Sequence, residues 1–149
     1  MASNREIKSK KIVLASDHAG FNLKEKIKKF LLNKRRKILD LGTNNTNSVD
    51  YPDYAHLLSK KINKNNNFFG VLVCGSGVGM NMAANKHKNV RAALCYSLKT
   101  AKLSREHNNA NVITIGARLT NHNLALKCVN TFIKTNFKGG RHLRRIKKI

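Results

Sequence analysis

Short apolar runs alternate with helix-length amphipathic segments along the whole chain, and no other feature limits its fold so tightly. "KIVLAS" (Lys11–Ser16) has strand character, and "FNLKEKIKKFLLNK" sets Leu23, Ile27, Phe30 and Leu31 on one helical face. "KILDLG" predicts a second strand closed by Gly42, followed by the polar loop "TNNTNSVDYP". Pro52 then opens a helix that runs to about Lys64. "FFGVLVC" predicts a third strand, "VGMNMAANK" a short helix, "VRAALC" a fourth strand, "SLKTAKLSREH" a helix and "NVITIG" a fifth strand. "NHNLALKCVNTFIKTNF" predicts a long last helix ending near Gly139 and Gly140, ahead of the arginine-dense "RHLRRIKKI". Strands separated by helices in this way predict a five-stranded parallel sheet covered on both faces, a three-layer α/β/α domain. At 149 residues the chain fits one domain, 1–149, with residues 1–10 expected to fray and 138–149 to form a basic tail.

In such a Rossmann-like sheet, ligands bind beyond the carboxyl ends of the strands. The loops to search are therefore 16–20, 43–53, 74–79 and 117–121. Composition narrows the partners. The 30 Lys and Arg against 7 Asp and Glu give a formal charge of +23, which attracts phosphate. The lysines, however, recur over 24–37, 60–64, 86–102 and 127–138, as solvated faces of several helices rather than one stripe. With no RRM-like aromatic motif and no zinc finger, a specific nucleic-acid partner is not expected. No apolar run is long enough to span a bilayer, and "MASNREIKSK" lacks the apolar core of a signal peptide, so no membrane partner is expected. The three cysteines, Cys74, Cys95 and Cys128, are odd in number and widely spaced; they form no disulfide framework or zinc knuckle, and a reducing cytoplasmic setting is expected.

The stretch "CGSGVGMNMAANK" joins a strand to a helix through Gly75, Gly77 and Gly79. It fits neither the dinucleotide fingerprint nor the P-loop. Its glycines allow close backbone approach, and the helix start presents free N–H groups to an anion. Cys74 at that lip is either a thiolate-forming nucleophile or base, or a small hydrophobe ending a buried strand. "SDHAG" sets Asp17 and His18 on the same edge, to orient a hydroxylated ligand or, for Asp17, to cap the next helix. "SVDYPDYA" adds Asp50, Tyr51 and Asp53; Tyr51 either lines a sugar pocket or packs. Arg141 and Arg145 are four apart, so a helical turn would put them on one face to clamp a phosphate; the alternative is a solvated basic tail.

In order, "SDHAG", "DYPDYA", "CGSGVGMNMAANK", "VRAALC", "LSREHNNANVITIGAR" and "GGRHLRR" cover nearly the whole chain. Together they resemble the ribose-5-phosphate isomerase B family, which also includes galactose-6-phosphate isomerase subunits and allose-6-phosphate isomerase. The resemblance implies a cofactor-free and metal-free aldose–ketose isomerase that interconverts ribose 5-phosphate and ribulose 5-phosphate in the non-oxidative pentose phosphate pathway. It implies a homodimer or tetramer and the strand order 2-1-3-5-4. Some relatives carry a glutamate base just after the last loop glycine; here Met80 occupies that place and Cys74 is present, which indicates the cysteine-base form.

By resemblance, Cys74 is the base with Ser76 hydrogen-bonded nearby, and the amides of Gly75 to Gly79 hold an enediolate oxygen. His107 opens the furanose ring with Asp17 assisting, and Asn108 binds substrate. Arg141, Arg145, His18 and Arg118 take the phosphate, while Tyr51 and Asn85 shape the pocket. His107 and Asn108 precede strand 5, at the edge opposite Asp17 and Cys74, so they are expected to enter the site from a second subunit. The alternatives are a hexose-6-phosphate isomerase of the same family and, from another class, a basic polyanion- or RNA-binding protein on this fold.

Overall fold

The strands are short, rich in Val and Ile, and apolar on both faces, as a strand between two helical layers must be. The computed structural model describes residues 10–149; the expected fraying of residues 1–10 thus lies, Lys10 apart, outside the described residues. β1 (Lys11–Ser16), β2 (Ile38–Asp40), β3 (Phe68–Cys74), β4 (Ala92–Leu94) and β5 (Val112–Gly116) form one parallel sheet in the order β2-β1-β3-β5-β4. The helices are α1 (Phe21–Asn33), α2 (Tyr51–Lys64), α3 (Val78–Ala84), α4 (Leu98–Asn108), α5 (His122–Lys134) and α6 (Arg141–Ile146). This is the expected three-layer α/β/α fold.

Successive strand side chains point to opposite faces, so β1 gives Ile12 and Leu14 to one layer and Val13 and Ala15 to the other. The first layer meets Leu23, Ile27 and Leu31 of α1 and Val129 and Phe132 of α5. The second meets Ala55, Leu58 and Ile62 of α2 and Met80 and Ala84 of α3. Each fully buried Leu, Ile or Phe contributes roughly 1.5–3 kcal/mol.

Element ends depart from the sequence expectation where side chains intercept the backbone. β4 is three residues long rather than spanning 90–95, because the Val90 N–H turns back to the His87 carbonyl and the Arg91 N–H goes to Asn111 Oδ1. β2 stops at Asp40, whose Oδ1 accepts the Gly42 N–H at 3.0 Å. α3 ends at Ala84, and α5 ends at Lys134, where Thr135 is extended and its hydroxyl donates to the Thr131 carbonyl at 2.7 Å.

The 24–37 lysines read as a solvated face, and Lys24 overturns that for its own position. It follows Leu23 on the inward side of α1 and is fully buried. Its Nζ is bonded to Glu25 and lies 2.8 Å from Asp40 Oδ2, which Lys28 also reaches at 2.8 Å. Burial pushes the Asp40 carboxyl up, but the bonds from Lys24, Lys28 and the Gly42 amide outweigh it and hold it below the usual carboxylate range. No helix among the described residues is long and apolar enough to cross a membrane.

Candidate active site

The chain moves from β1 outward to β2 and then returns past β1 to β3, and at such a reversal a crevice opens beyond the carboxyl ends of the strands. Residues 17–20 and 75–79 form its lip. A Cβ on Gly20 would lie 2.2 Å from the Val73 carbonyl oxygen, so the β1 loop rests directly on β3. Gly77 has φ of 79°, and a Cβ there would lie 2.9 Å from the Gly116 nitrogen and 2.7 Å from Leu94 Cδ1. Only glycine fits this turn.

The turn curls back over Cys74. The Gly77 N–H donates to Cys74 Sγ at 3.1 Å, and the Val78 N–H donates to Ser76 Oγ at 3.2 Å. Ser76 thus bonds the helix start rather than the sulfur. Among the described residues, the amides of Gly75, Ser76 and Gly79 have no protein acceptor. Cys74 is only 4% exposed and belongs to the same buried cluster as Leu72 and Met80, so it closes the core and faces the turn at once.

Four further side chains converge on this edge. Asp17 is buried and its Oδ1 accepts the Gly20 N–H at 2.9 Å, which ties the start of α1. His18 Nδ1 lies 3.1 Å from the Val49 nitrogen; when it accepts that N–H, the ring proton sits on Nε2. Tyr51 begins α2, and its ring lies 2.6 Å from where a Gly79 Cβ would stand. Arg118 Nη1 lies 3.3 Å from the equivalent point on Gly75. Arg118 also lines an open cleft of roughly 630 Å³ that continues past Thr120 and His122 to Lys26.

The other candidate residues gather elsewhere. His107 and Asn108 end α4, ahead of β5, whose five residues separate them from Cys74 by about 13 Å along the strand direction. The His107 ring stacks on His142 of α6, with centroids 4.2 Å apart and planes at 10°. Desolvation, and then the positive charge of His107, Arg141, Arg145 and Lys138, hold His142 below the usual imidazole range. Arg141 and Arg145 stand one turn apart on α6, both exposed. Asn85 engages β4 with both amide atoms, accepting the Ala92 N–H at 2.8 Å and donating to its carbonyl at 2.9 Å. It lines a cavity of roughly 530 Å³ together with Asn108, Lys86, Arg91 and Ile146.

One chain therefore presents two sets. Asp17, His18, Tyr51, Cys74, Gly75, Ser76, Gly77, Gly79 and Arg118 share the carboxyl edge. His107, Asn108, Arg141 and Arg145 lie with α4 and α6, and Asn85 lines one cavity with Asn108. The reading of the sequence missed two buried residues in the last turn of α4, Arg105 and Glu106. The only available signal was a cation in the final turn of a helix, which is common.

Residues 12–149 match the model of the Ribose/Galactose Isomerase family. The ribose-5-phosphate isomerase B of Escherichia coli is 37% identical over 140 residues, covering 94% of each chain. The crystal structure of a ribose 5-phosphate isomerase from Thermotoga maritima superposes with a TM-score of 0.90 at 51% identity, covering 93% of this chain and 95% of that one. The Mycoplasma genitalium ribose-5-phosphate isomerase B, whose structure holds ribulose 5-phosphate, superposes with a TM-score of 0.91 at 48% identity, covering 94% of this chain and 93% of that one. Motif order, strand order and glycine turn agree with these matches: the chain belongs to the ribose/galactose isomerase family.

Proposed function

We propose that this enzyme interconverts ribose 5-phosphate and ribulose 5-phosphate, in the cytoplasm, as a step of the non-oxidative pentose phosphate pathway. The observation that carries the reading is the Gly77 amide on Cys74 Sγ, inside a turn whose Gly75, Ser76 and Gly79 amides are unclaimed among the described residues. Isomerisation needs a base beside donors for a developing oxyanion, and this turn offers both.

His107 would take the anomeric hydroxyl proton as the furanose C1–O bond breaks, with Asp17 assisting and the ring oxygen gaining a proton. The Cys74 thiolate would then remove the proton from carbon 2, the electron pair passing to the carbonyl oxygen on carbon 1 to give a cis-enediolate. The free loop amides would hold that oxygen. Transfer of the carbon 2 hydroxyl proton to the oxygen on carbon 1, and return of the Cys74 proton to carbon 1, would complete the ketose. His18, Arg118, Arg141 and Arg145 would take the phosphate, and Tyr51 would wall the pocket over Gly79.

The two sets of residues in one chain support a homodimer in which each site draws His107, Asn108, Arg141 and Arg145 from the second subunit. The test is turnover of ribose 5-phosphate and allose 6-phosphate, with EDTA present, by wild type and Cys74→Ala. Ribose-5-phosphate activity that survives EDTA and is lost in the variant is expected. Preference for allose 6-phosphate, loss in EDTA or an active Cys74→Ala would each overturn the corresponding part of the reading.

A further inference from the structure

The last turn of α4 reads Arg105-Glu106-His107-Asn108, and its first two residues are 4% and 9% exposed. They do not form an ion pair with each other. A buried cation without a carboxylate is costly unless its donors are all met. Arg105 places three of its five N–H donors on neutral oxygens. Its Nε donates to the Thr135 carbonyl at 3.1 Å, and its Nη1 donates to Asn109 Oδ1 at 3.0 Å and to the Ala110 carbonyl. Its guanidinium carbon lies 4.8 Å from the Phe69 ring centroid and 5.6 Å from that of Phe132. Burial, and then the charge of Arg91, lower its pKa to about 10.

What these bonds fix is the end of the helix. Asn109 is left-handed, at φ 47° and ψ 41°, and stops α4 directly after Asn108. Its side chain is held by Arg105 and its carbonyl by Arg91 Nε at 3.0 Å. The Thr135 carbonyl belongs to the residue that closes α5, so Arg105 also joins the ends of α4 and α5. Glu106 grips the next few residues: its carboxylate lies 3.2 Å from Lys138 Nζ, and its carbonyl accepts the Lys138 N–H at 3.1 Å. Two residues later the glycine-started α6 carries Arg141 and Arg145 outward, with His142 stacked on His107.

The geometry points to Arg105 as a positioning residue for the ring-opening His107, fixing the end of α4 that Glu106 joins to the segment leading into α6, for use at the opposing Cys74 edge. This rests on the proposed roles of His107 and Cys74. A substituent smaller or uncharged at 105 would leave the Thr135, Asn109 and Ala110 oxygens without their donor and free the helix end to shift. Misplacement of a catalytic group by about 1 Å costs on the order of 100-fold in rate.

The test separates ring opening from proton abstraction. Solvent exchange of a carbon 1 proton of ribulose 5-phosphate needs the Cys74 edge but no furanose opening, whereas conversion of ribose 5-phosphate needs both. Wild type, Arg105→Met, Arg105→Lys and His107→Ala are compared at saturating substrate. For Arg105→Met, isomerisation is expected to fall at least tenfold further than exchange, with Arg105→Lys between it and wild type. If Arg105→Met is insoluble, Arg105→Lys alone carries the comparison. Equal losses of both rates, as fewer folded molecules would give, overturn the positioning role. If His107→Ala itself shows no split, the ring-opening assignment has failed instead. If His107→Ala splits and neither Arg105 variant does, only the present inference has failed.

Discussion

Replacing Gly77 by alanine should damage both the fold and the chemistry, whereas the same change at Gly75 should damage only binding. At Gly77 the backbone is at φ 79°, where an L side chain costs roughly 1–2 kcal/mol. The new Cβ would also stand 2.9 Å from the Gly116 nitrogen and 2.7 Å from Leu94 Cδ1. Backbone cannot give way as a side chain can, so overpacking adds about 1–3 kcal/mol. The sum, about 2–5 kcal/mol, corresponds in a chain of this size to a fall in Tm of roughly 10 °C. Relief of the clash would pull the Gly77 amide from Cys74 Sγ, so kcat should fall as well. At Gly75 the nearest atom to a new Cβ is Arg118 Nη1 at 3.3 Å, the end of a flexible side chain, and no left-handed backbone is required. Gly75→Ala should leave stability within about 0.5 kcal/mol and raise KM for the sugar phosphate. Thermal unfolding and steady-state kinetics on both variants make the comparison. A Gly77→Ala protein with wild-type Tm and kcat would refute the account of the turn.

Lys24→Met should destabilise the fold by about 2–3 kcal/mol, less than full rupture of a buried pair, because Asp40 keeps Lys28 and the Gly42 amide; urea unfolding measures it. Acid should act in two windows. Desolvation, then His56 and Lys60, lower the His87 pKa, so its contribution is lost as pH falls below the imidazole range, and the depressed Asp40 contribution is lost only below the usual carboxylate range. Unfolding against pH for His87→Asn should show a smaller first step, with the part due to the likewise lowered His142 remaining, and retain the second. Among the cysteines, burial pushes Cys95 up to about 11 and raises Cys128, so native-state iodoacetamide should modify Cys74 first, with protection by ribose 5-phosphate read by peptide mass spectrometry. Labelling of Cys95 or Cys128 ahead of Cys74 would contradict the placement of the sulfur at the crevice.

The strands were legible because β1, β3 and β5 are near-continuous apolar runs, the mark of a sheet covered on both faces. The strand order was not in the periodicity; it followed from the resemblance. Ends failed where a polar side chain takes a backbone N–H, as Asn111 does at Arg91 and Asp40 does at Gly42. Lys24 and Arg105 were hidden because a buried cation shows itself only through partners distant in sequence, Asp40 for one and Thr135 for the other. At the site, the glycines announced a close approach, but which amide meets the sulfur depends on the left-handed turn at Gly77. That His107 sits opposite Cys74 followed from element order alone, since the end of a helix after β4 must lie at the amino edge of a parallel sheet.

The claim that each site is built from two chains is tested most directly by mixing inactive Cys74→Ala protein with inactive His107→Ala protein after dissociation and reassociation. Each heterodimer would hold one site with both residues intact. Random pairing then predicts recovery of about one quarter of wild-type ribose-5-phosphate turnover. A mixture as inactive as its components, with heterodimers demonstrably formed, would contradict the shared site.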